Sequence, residues 1–331
     1  MKRIAINGFG RIGRIVFRII EDMDDMEVVA INAHSSDSEA LAYLLKYDTT
    51  YRTYDKNITY DENNLYINGR QVAVYHEPSP ITLPWKDMDI DVVLECTGKF
   101  TKKEDAMQHV EAGSKKVLIS APGKGDMKTI VYNVNDKELT DQDVVVSAAS
   151  CTTNCLAPVL KVLDDNFKVV MGNMTTTHAY TNDQNSQDGS HKKGIVERRG
   201  RACAENIVPT STGAAKAIGK VLPNLEGKIV GTAIRVPVVD GSLVELVVQL
   251  GRNTTKEELN KTFKENANET LQYTDDPVVS SDMIGTTCGA TVDANMTYVI
   301  DVEGKQLVHV GAWYDNEMGY SQQMVRTLKK M

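Results

Sequence analysis

KRIAINGFGRIGRIVFRIIEDMDDMEVVAIN, residues 2–32, decides the fold of the first half of the chain. Residues 2–7 are a short run rich in β-branched side chains, 11–22 repeat apolar residues at helical spacing, and 27–32 form a second apolar run. This is a βαβ unit, which implies a parallel sheet and a right-handed crossover. Between its first strand and helix, Gly8, Gly10 and Gly13 form G-x-G-x-x-G. Glycines there permit a tight turn and let backbone N–H groups and the helix start approach a pyrophosphate, so a dinucleotide is the expected ligand.

The same alternation continues downstream. Residues 91–98, 115–120, 129–134 and 143–148 read as buried strands and 102–110 as a helix, giving a Rossmann-type, doubly wound α/β domain over residues 1–150. Beyond about residue 150 the pattern changes to a helix at 152–166 and longer, partly alternating strands at 169–180, 229–239 and 242–250. These predict an α+β domain over 151–316 with a largely antiparallel sheet, and 317–331 reads as a closing amphipathic helix.

Composition narrows the function. A formal charge of −8 disfavours nucleic acid or an anionic membrane as the main partner. No run approaches the ~20 apolar residues of a membrane helix, and the apolar run before Gly8 is too short for a signal-peptide core. The five cysteines are odd in number and unevenly spaced, which fits a reducing compartment, so the cytoplasm is expected.

The dinucleotide fingerprint calls for an acidic residue at the end of the second strand, to bind the ribose hydroxyls. Ala33 stands there, followed by His34, Ser35 and Ser36. Its methyl group removes the repulsion a carboxylate would exert on a 2′-phosphate. The chain is therefore expected to accept NADP, with NAD as the other reading.

SAASCTTNCLAP, residues 147–158, places Cys151 where a strand meets a helix. Unpaired N–H groups and the helix dipole favour a thiolate there, so a lowered thiol pKa is expected. Cys155 falls one turn further in, among LAPVLKVL, and reads as packing. No other cysteine has a partner at ligand spacing, and no metal site is expected. Among six histidines only His178, in TTTHAYTND, lies at a strand end beside polar residues, making it the candidate base.

INGFGRIGR, KYD, SCTTNCLAP, HAYTNDQ, PTSTGAAKA, RVPV and WYDNEMGYS, in this order, strongly resemble the phosphorylating glyceraldehyde-3-phosphate dehydrogenases. The resemblance implies a homotetramer, a C-terminal helix packing back on the dinucleotide domain, and glyceraldehyde 3-phosphate and inorganic phosphate as substrates. It also implies a covalent mechanism. Cys151 would attack the aldehyde to give a thiohemiacetal, His178 would assist, and the thioester left by hydride transfer would be cleaved by phosphate. Cofactor contacts are implied at Arg11, Ile12, Thr97, Gly98, Ser120 and Asn316. Thr181 and Arg235 fall at the substrate phosphate, and Ser150, Thr152, Arg199, Thr212 and Gly213 at the inorganic phosphate.

Ser190, where many NAD-specific members have proline, joins Ala33 in pointing toward NADP. VPVVDGSLVEL (236–246) and Met318 also depart from the common pattern, and 191–199 is longer than usual. Erythrose-4-phosphate dehydrogenase is the neighbouring alternative, and HAYT and STG favour the glyceraldehyde enzyme. A non-catalytic binding or adhesion role on the same fold is the other alternative, opposed by the intact Cys151, His178, Arg235 and Asn316.

Overall fold

A computed structural model describes all 331 residues. They form two compact units, one of Met1–Ile130, Asp136–Ala149 and Met324–Met331, the other of Val131–Asn135 and Ser150–Gln323.

The first unit contains β1 (Lys2–Asn7), α1 (Arg11–Ile20), β2 (Met26–Asn32), α2 (Ser38–Lys46), β3 (Ile58–Tyr60), β4 (Asn64–Ile67), β5 (Arg70–Tyr75), β6 (Val92–Glu95), α3 (Lys103–Glu111), β7 (Lys116–Ile119) and β8 (Val145–Ser147). They build one eight-stranded sheet in the order β3-β4-β5-β2-β1-β6-β7-β8. From β5 to β8 every pairing is parallel, while β3, β4 and β5 pair antiparallel at the edge. The central strands are apolar because both faces are covered. Val29, Ala30, Trp85 and Val93 pack together in one cluster, and Ala106, Val117, Ile119 and Val145 in another. Phe17 on α1 is fully buried, worth about 1.5–3 kcal/mol relative to exposure.

The expected strand at 129–134 is not formed. Thr129 makes a single bridge to Ser147, Ile130 and Val131 are buried as irregular chain, and Asn133 takes a positive φ of 59°. The apolar run marks burial without strand pairing.

The second unit begins with α4 (Cys151–Phe167) and β9 (Val169–Ala179), followed by β10 (Val208–Ser211), α5 (Ala214–Val221), β11 (Ile229–Val236), β12 (Ser242–Leu250), α6 (Lys256–Glu265), β13 (Leu271–Thr274), β14 (Ala290–Val302) and β15 (Lys305–Tyr314). Its seven-stranded sheet runs β10-β11-β9-β12-β15-β14-β13. Four of its pairings are antiparallel, and β11–β9 and β13–β14 are parallel. α7 (Met318–Lys330) ends in the first unit, where Lys2 Nζ donates to Leu328 O at 3.1 Å and Lys116 Nζ to Met331 O at 2.9 Å. No helix is long and apolar enough to cross a membrane.

Candidate active site

Two strand registers and one helix start assemble the reactive cluster of the second unit. Along β9 the two-residue period turns Met174, Thr176 and His178 to the buried face. β11 lies parallel beside it with Arg235 directly opposite His178, so the two side chains share that face. Ser150 caps α4, its hydroxyl accepting from Thr153 N at 3.2 Å, which makes Cys151 the first helical residue.

Cys151 Sγ lies 3.4 Å from His178 Nε2. His178 Nδ1 is 2.7 Å from Ala179 O; in the tautomer that donates Nδ1–H to this carbonyl, the Nε2 lone pair faces the sulfur. Arg235 Nη1 stands 2.9 Å from Nδ1 and donates to Ala179 O at 2.8 Å and Thr181 Oγ1 at 3.1 Å. Burial, then the Arg235 charge, hold His178 down at about 3, against the bond to Ala179.

The expected lowering of the Cys151 pKa is not met for the thiol alone. Burial pushes it up, outweighing the pull of Arg235 and of hydrogen bonds at Thr152. Burial thus favours the neutral thiol and neutral imidazole at rest, and the 3.4 Å contact supplies a path for the thiol proton to Nε2. Cys155 is fully buried, with Sγ 3.7 Å from Ala312 O, and burial raises it well above the usual thiol range.

A chain of polar contacts leads from His178 to the basic segment at 191–201. The Thr181 hydroxyl donates to the Asp183 carboxylate, whose other oxygen accepts from Arg199 Nη1 at 2.5 Å. Arg199 Nε donates to Thr210 Oγ1 at 3.2 Å, and Thr210 donates to Glu197 at 2.7 Å. Burial alone would raise Asp183, but the Thr181 hydrogen bond and the Arg199 charge bring it down to about 2. Two buried donors in this region, Arg235 Nε and Gln184 Nε2, have no partner. An unpaired buried donor is costly, so both mark a place suited to an anion.

The remaining anion-site candidates are more dispersed. Thr152 is buried with its hydroxyl 3.0 Å from Tyr314 OH, which also lies 2.8 Å from Thr176 Oγ1. Thr212 accepts from Ala214 N at 3.2 Å, and Gly213 caps α5. Asp183, Gln184 and Tyr314 were not singled out from sequence. Their signal was proximity to motif residues, since Asp183 and Gln184 follow His178 in HAYTNDQ and Tyr314 precedes Asn316 by two.

In the first unit a cavity of about 500 Å³ is lined by Asn7, Gly8, Gly10, Asn32, Ala33, His34, Ser35, Ser36, Glu77 and Thr97, among others. Gly8 has φ 95°, and a Cβ there would lie 2.7 Å from Thr97 N; a Cβ on Gly13 would lie 2.2 Å from Gly8 O. Glycine is required at both, and the loop ends at the start of α1, as a pyrophosphate cradle needs. Arg11 and Ile12 open α1, with Arg11 paired to Asp48 of KYD and its guanidinium over the Tyr51 ring. Gly98 has φ 68°, and Ser120 N donates to Glu95 O at 2.9 Å.

Ser190 and Asn316 belong to the second unit. Ser190 lines a separate cavity of about 660 Å³ with Ile195, Arg198 and Ile207. Asn316 Oδ1 accepts from Ser242 Oγ at 2.6 Å, leaving its amide nitrogen for another acceptor.

Comparison with known proteins identifies the family of both units. The NAD binding domain of glyceraldehyde 3-phosphate dehydrogenase matches residues 2–103, and the C-terminal domain of that enzyme matches 150–316. Glyceraldehyde-3-phosphate dehydrogenase of Clostridium acetobutylicum is 54% identical over 328 residues, covering 99% of this chain and 98% of its own. The Streptococcus pyogenes enzyme is 50% identical, covering 99% and 97%.

Proposed function

The chain belongs to the glyceraldehyde 3-phosphate dehydrogenase family and carries out the oxidative phosphorylation of glyceraldehyde 3-phosphate with a nicotinamide cofactor; from this premise we propose how its own residues do so, and that it accepts NADP. The observation that carries the catalytic assignment is the 3.4 Å approach of Cys151 Sγ to an unprotonated His178 Nε2.

Cys151 Sγ attacks the aldehyde carbon as its proton passes to Nε2, and Nε2 hands that proton to the former carbonyl oxygen, giving a thiohemiacetal and a neutral imidazole. A bound nicotinamide would supply the hydride acceptor for this carbon. His178 takes up the hydroxyl proton as the adduct becomes a thioester. A phosphate oxygen then attacks the acyl carbon, the C–S bond breaks, and the thiolate returns with the acyl phosphate as product. Arg235, through its unpartnered Nε, and Thr181 hold the substrate phosphate, while Arg199 and Ser150 serve the attacking phosphate, with Thr152, Thr212 and Gly213 in supporting positions.

Gly8, Gly10 and Gly13 fit the cofactor pyrophosphate. Thr97, Gly98 and Ser120 frame the same strand ends, and Asn316 offers an amide to the nicotinamide. NADP acceptance is supported by Ala33, which brings no charge to a wall shared with His34, Ser35 and Ser36. Steady-state kcat/KM for NADP at least equal to that for NAD is the expected result; a wild-type enzyme indifferent to NADP would refute it. A homotetramer in the cytoplasm completes the reading. Its support is an apolar outer sheet face where Met171, Val230, Ile300, Val302 and Leu307 stay exposed on one chain.

A further inference from the structure

The first unit buries an ionisable pair that the chemistry at Cys151 does not use. Neither the Glu95 nor the His109 side chain reaches solvent. His109 Nδ1 accepts from Trp85 Nε1 at 3.0 Å, so its hydrogen is on Nε2, which donates to Glu95 Oε2 at 3.1 Å. That oxygen also accepts from Asn7 Nδ2 at 2.5 Å. Glu95 Oε1 accepts from Thr97 N at 2.8 Å and from the Thr97 hydroxyl. The network continues through Asn32 Nδ2, which donates to Asn7 Oδ1 at 2.7 Å, to Glu77 N, which donates to Asn32 Oδ1 at 2.9 Å.

Its placement gives it a purpose. Asn7, Asn32 and Glu95 are the last residues of β1, β2 and β6, at the strand ends where doubly wound sheets bind ligands. The Thr97 turn that Glu95 grips lies against Gly8 so closely that a Cβ on Gly8 would meet Thr97 N at 2.7 Å and Cys96 C at 2.8 Å. Asn7, Gly8, Asn32, Glu77 and Thr97 all line the cavity of about 500 Å³. Each oxygen of the carboxylate has two donors, so the turn is held by charge-assisted bonds in a dry interior.

We propose that Glu95 and His109 are positioning residues for the dinucleotide, holding the Thr97 turn against the glycine loop and so setting the cavity the cofactor enters. The inference rests on that cavity holding the cofactor.

His109 offers a test that separates positioning from packing. Its ring packs against Trp85 and Phe100, with centroids 6.3 Å away in each case. His109→Phe keeps a ring and loses the donor, whereas His109→Gln loses the ring and places an amide N–H near the Nε2 position. The dissociation constant for NAD and for NADP is measured by titration of the full-length, cofactor-free enzyme. His109→Phe is expected to weaken binding about tenfold, the value of one buried hydrogen bond to a charge, and His109→Gln to stay within about threefold of wild type. Glu95→Gln keeps the shape while turning one acceptor into a donor, and is expected to weaken binding about tenfold as well. The rate of Cys151 alkylation by iodoacetamide reports on the second unit and is expected to hold in all three variants. Affinity that follows the ring, with Phe unchanged and Gln weakened, overturns the proposal. So does affinity unchanged in all three. A wild type that binds neither cofactor overturns the dinucleotide reading on which it stands.

Discussion

Around Glu95 each carboxylate oxygen accepts from two donors, whereas around Arg235 a buried Nε and the nearby Gln184 Nε2 have no partner. Both regions are polar and shielded from water, so the difference lies in whether the protein completes its own hydrogen bonds. A completed network fixes backbone, because breaking any member exposes a buried charge. An incomplete one leaves part of its bonding to a ligand. In the first unit the Glu95 carboxylate that shapes the cavity is already satisfied, and the second unit keeps unpaired donors beside its nucleophile.

The largest test removes the nucleophile. Cys151→Ser replaces a polarisable sulfur by a hydroxyl whose proton His178, held at about 3, removes poorly. Activity is expected to fall on the order of 10⁴-fold or more, while dinucleotide affinity holds. Loss of cofactor binding in this variant would break the separation between the two regions.

Arg235→Leu removes the unpaired Nε and the contact to Thr181 while keeping an apolar stem on β11. The KM for glyceraldehyde 3-phosphate is expected to rise about 100-fold, the value of a charge-assisted pair of bonds, with cofactor KM unchanged. An unchanged substrate KM would mean that the orphaned donor serves no anion. Ala33→Asp sharpens the comparison from the other side. Ala33 follows Asn32 of the completed network, yet its own side chain belongs to the cavity wall. The ratio of kcat/KM for NADP over NAD is expected to fall about tenfold or more through repulsion of the 2′-phosphate. A ratio that does not move would place the 2′-phosphate elsewhere.

How much of this the sequence disclosed depended on whether a function needed local or distant residues. The βαβ unit, the glycine loop, Cys151 and His178 were legible because strand period, helix period and turn chemistry act over a few neighbours. The hairpin of β4 and β5 carried its signal too, since Asn68 and Gly69 both take positive φ, as a two-residue turn requires. The same is true of Glu303 and Gly304 between β14 and β15. Glu95 and His109 were not legible, because an apolar strand ending in one acid and a helix with one histidine give no sign of meeting across 14 residues. The Arg235–His178 pairing was equally hidden, as it depends on the parallel register of β9 and β11. The lowered thiol pKa failed for a related reason. A helix start is visible in sequence, but burial, the larger effect here, is not.

The smallest expected effect concerns Asp183, which occupies Arg199 and Thr181 within the second unit. Its carboxyl is depressed from 3.8 to about 2, so the folded state favours the ionised form more than the unfolded chain does. The resulting stability is complete above the unfolded value of 3.8 and is lost as pH falls through about 2. Asp183→Asn removes that dependence. The wild-type thermal midpoint is expected to exceed the variant's by about 2 °C or less at pH 5, since the group is partly open to solvent, and the gap should narrow on titration to pH 3. A gap that stays constant between pH 5 and 3 would show that Asp183 gains nothing from its charge. The same variant also frees the Arg199 guanidinium from its carboxylate. If Asp183 competes with phosphate for Arg199, the KM for phosphate falls in Asp183→Asn. If Asp183 instead aims Arg199 at the phosphate, that KM rises, and the second unit's anion site depends on a completed contact of the kind that governs the first.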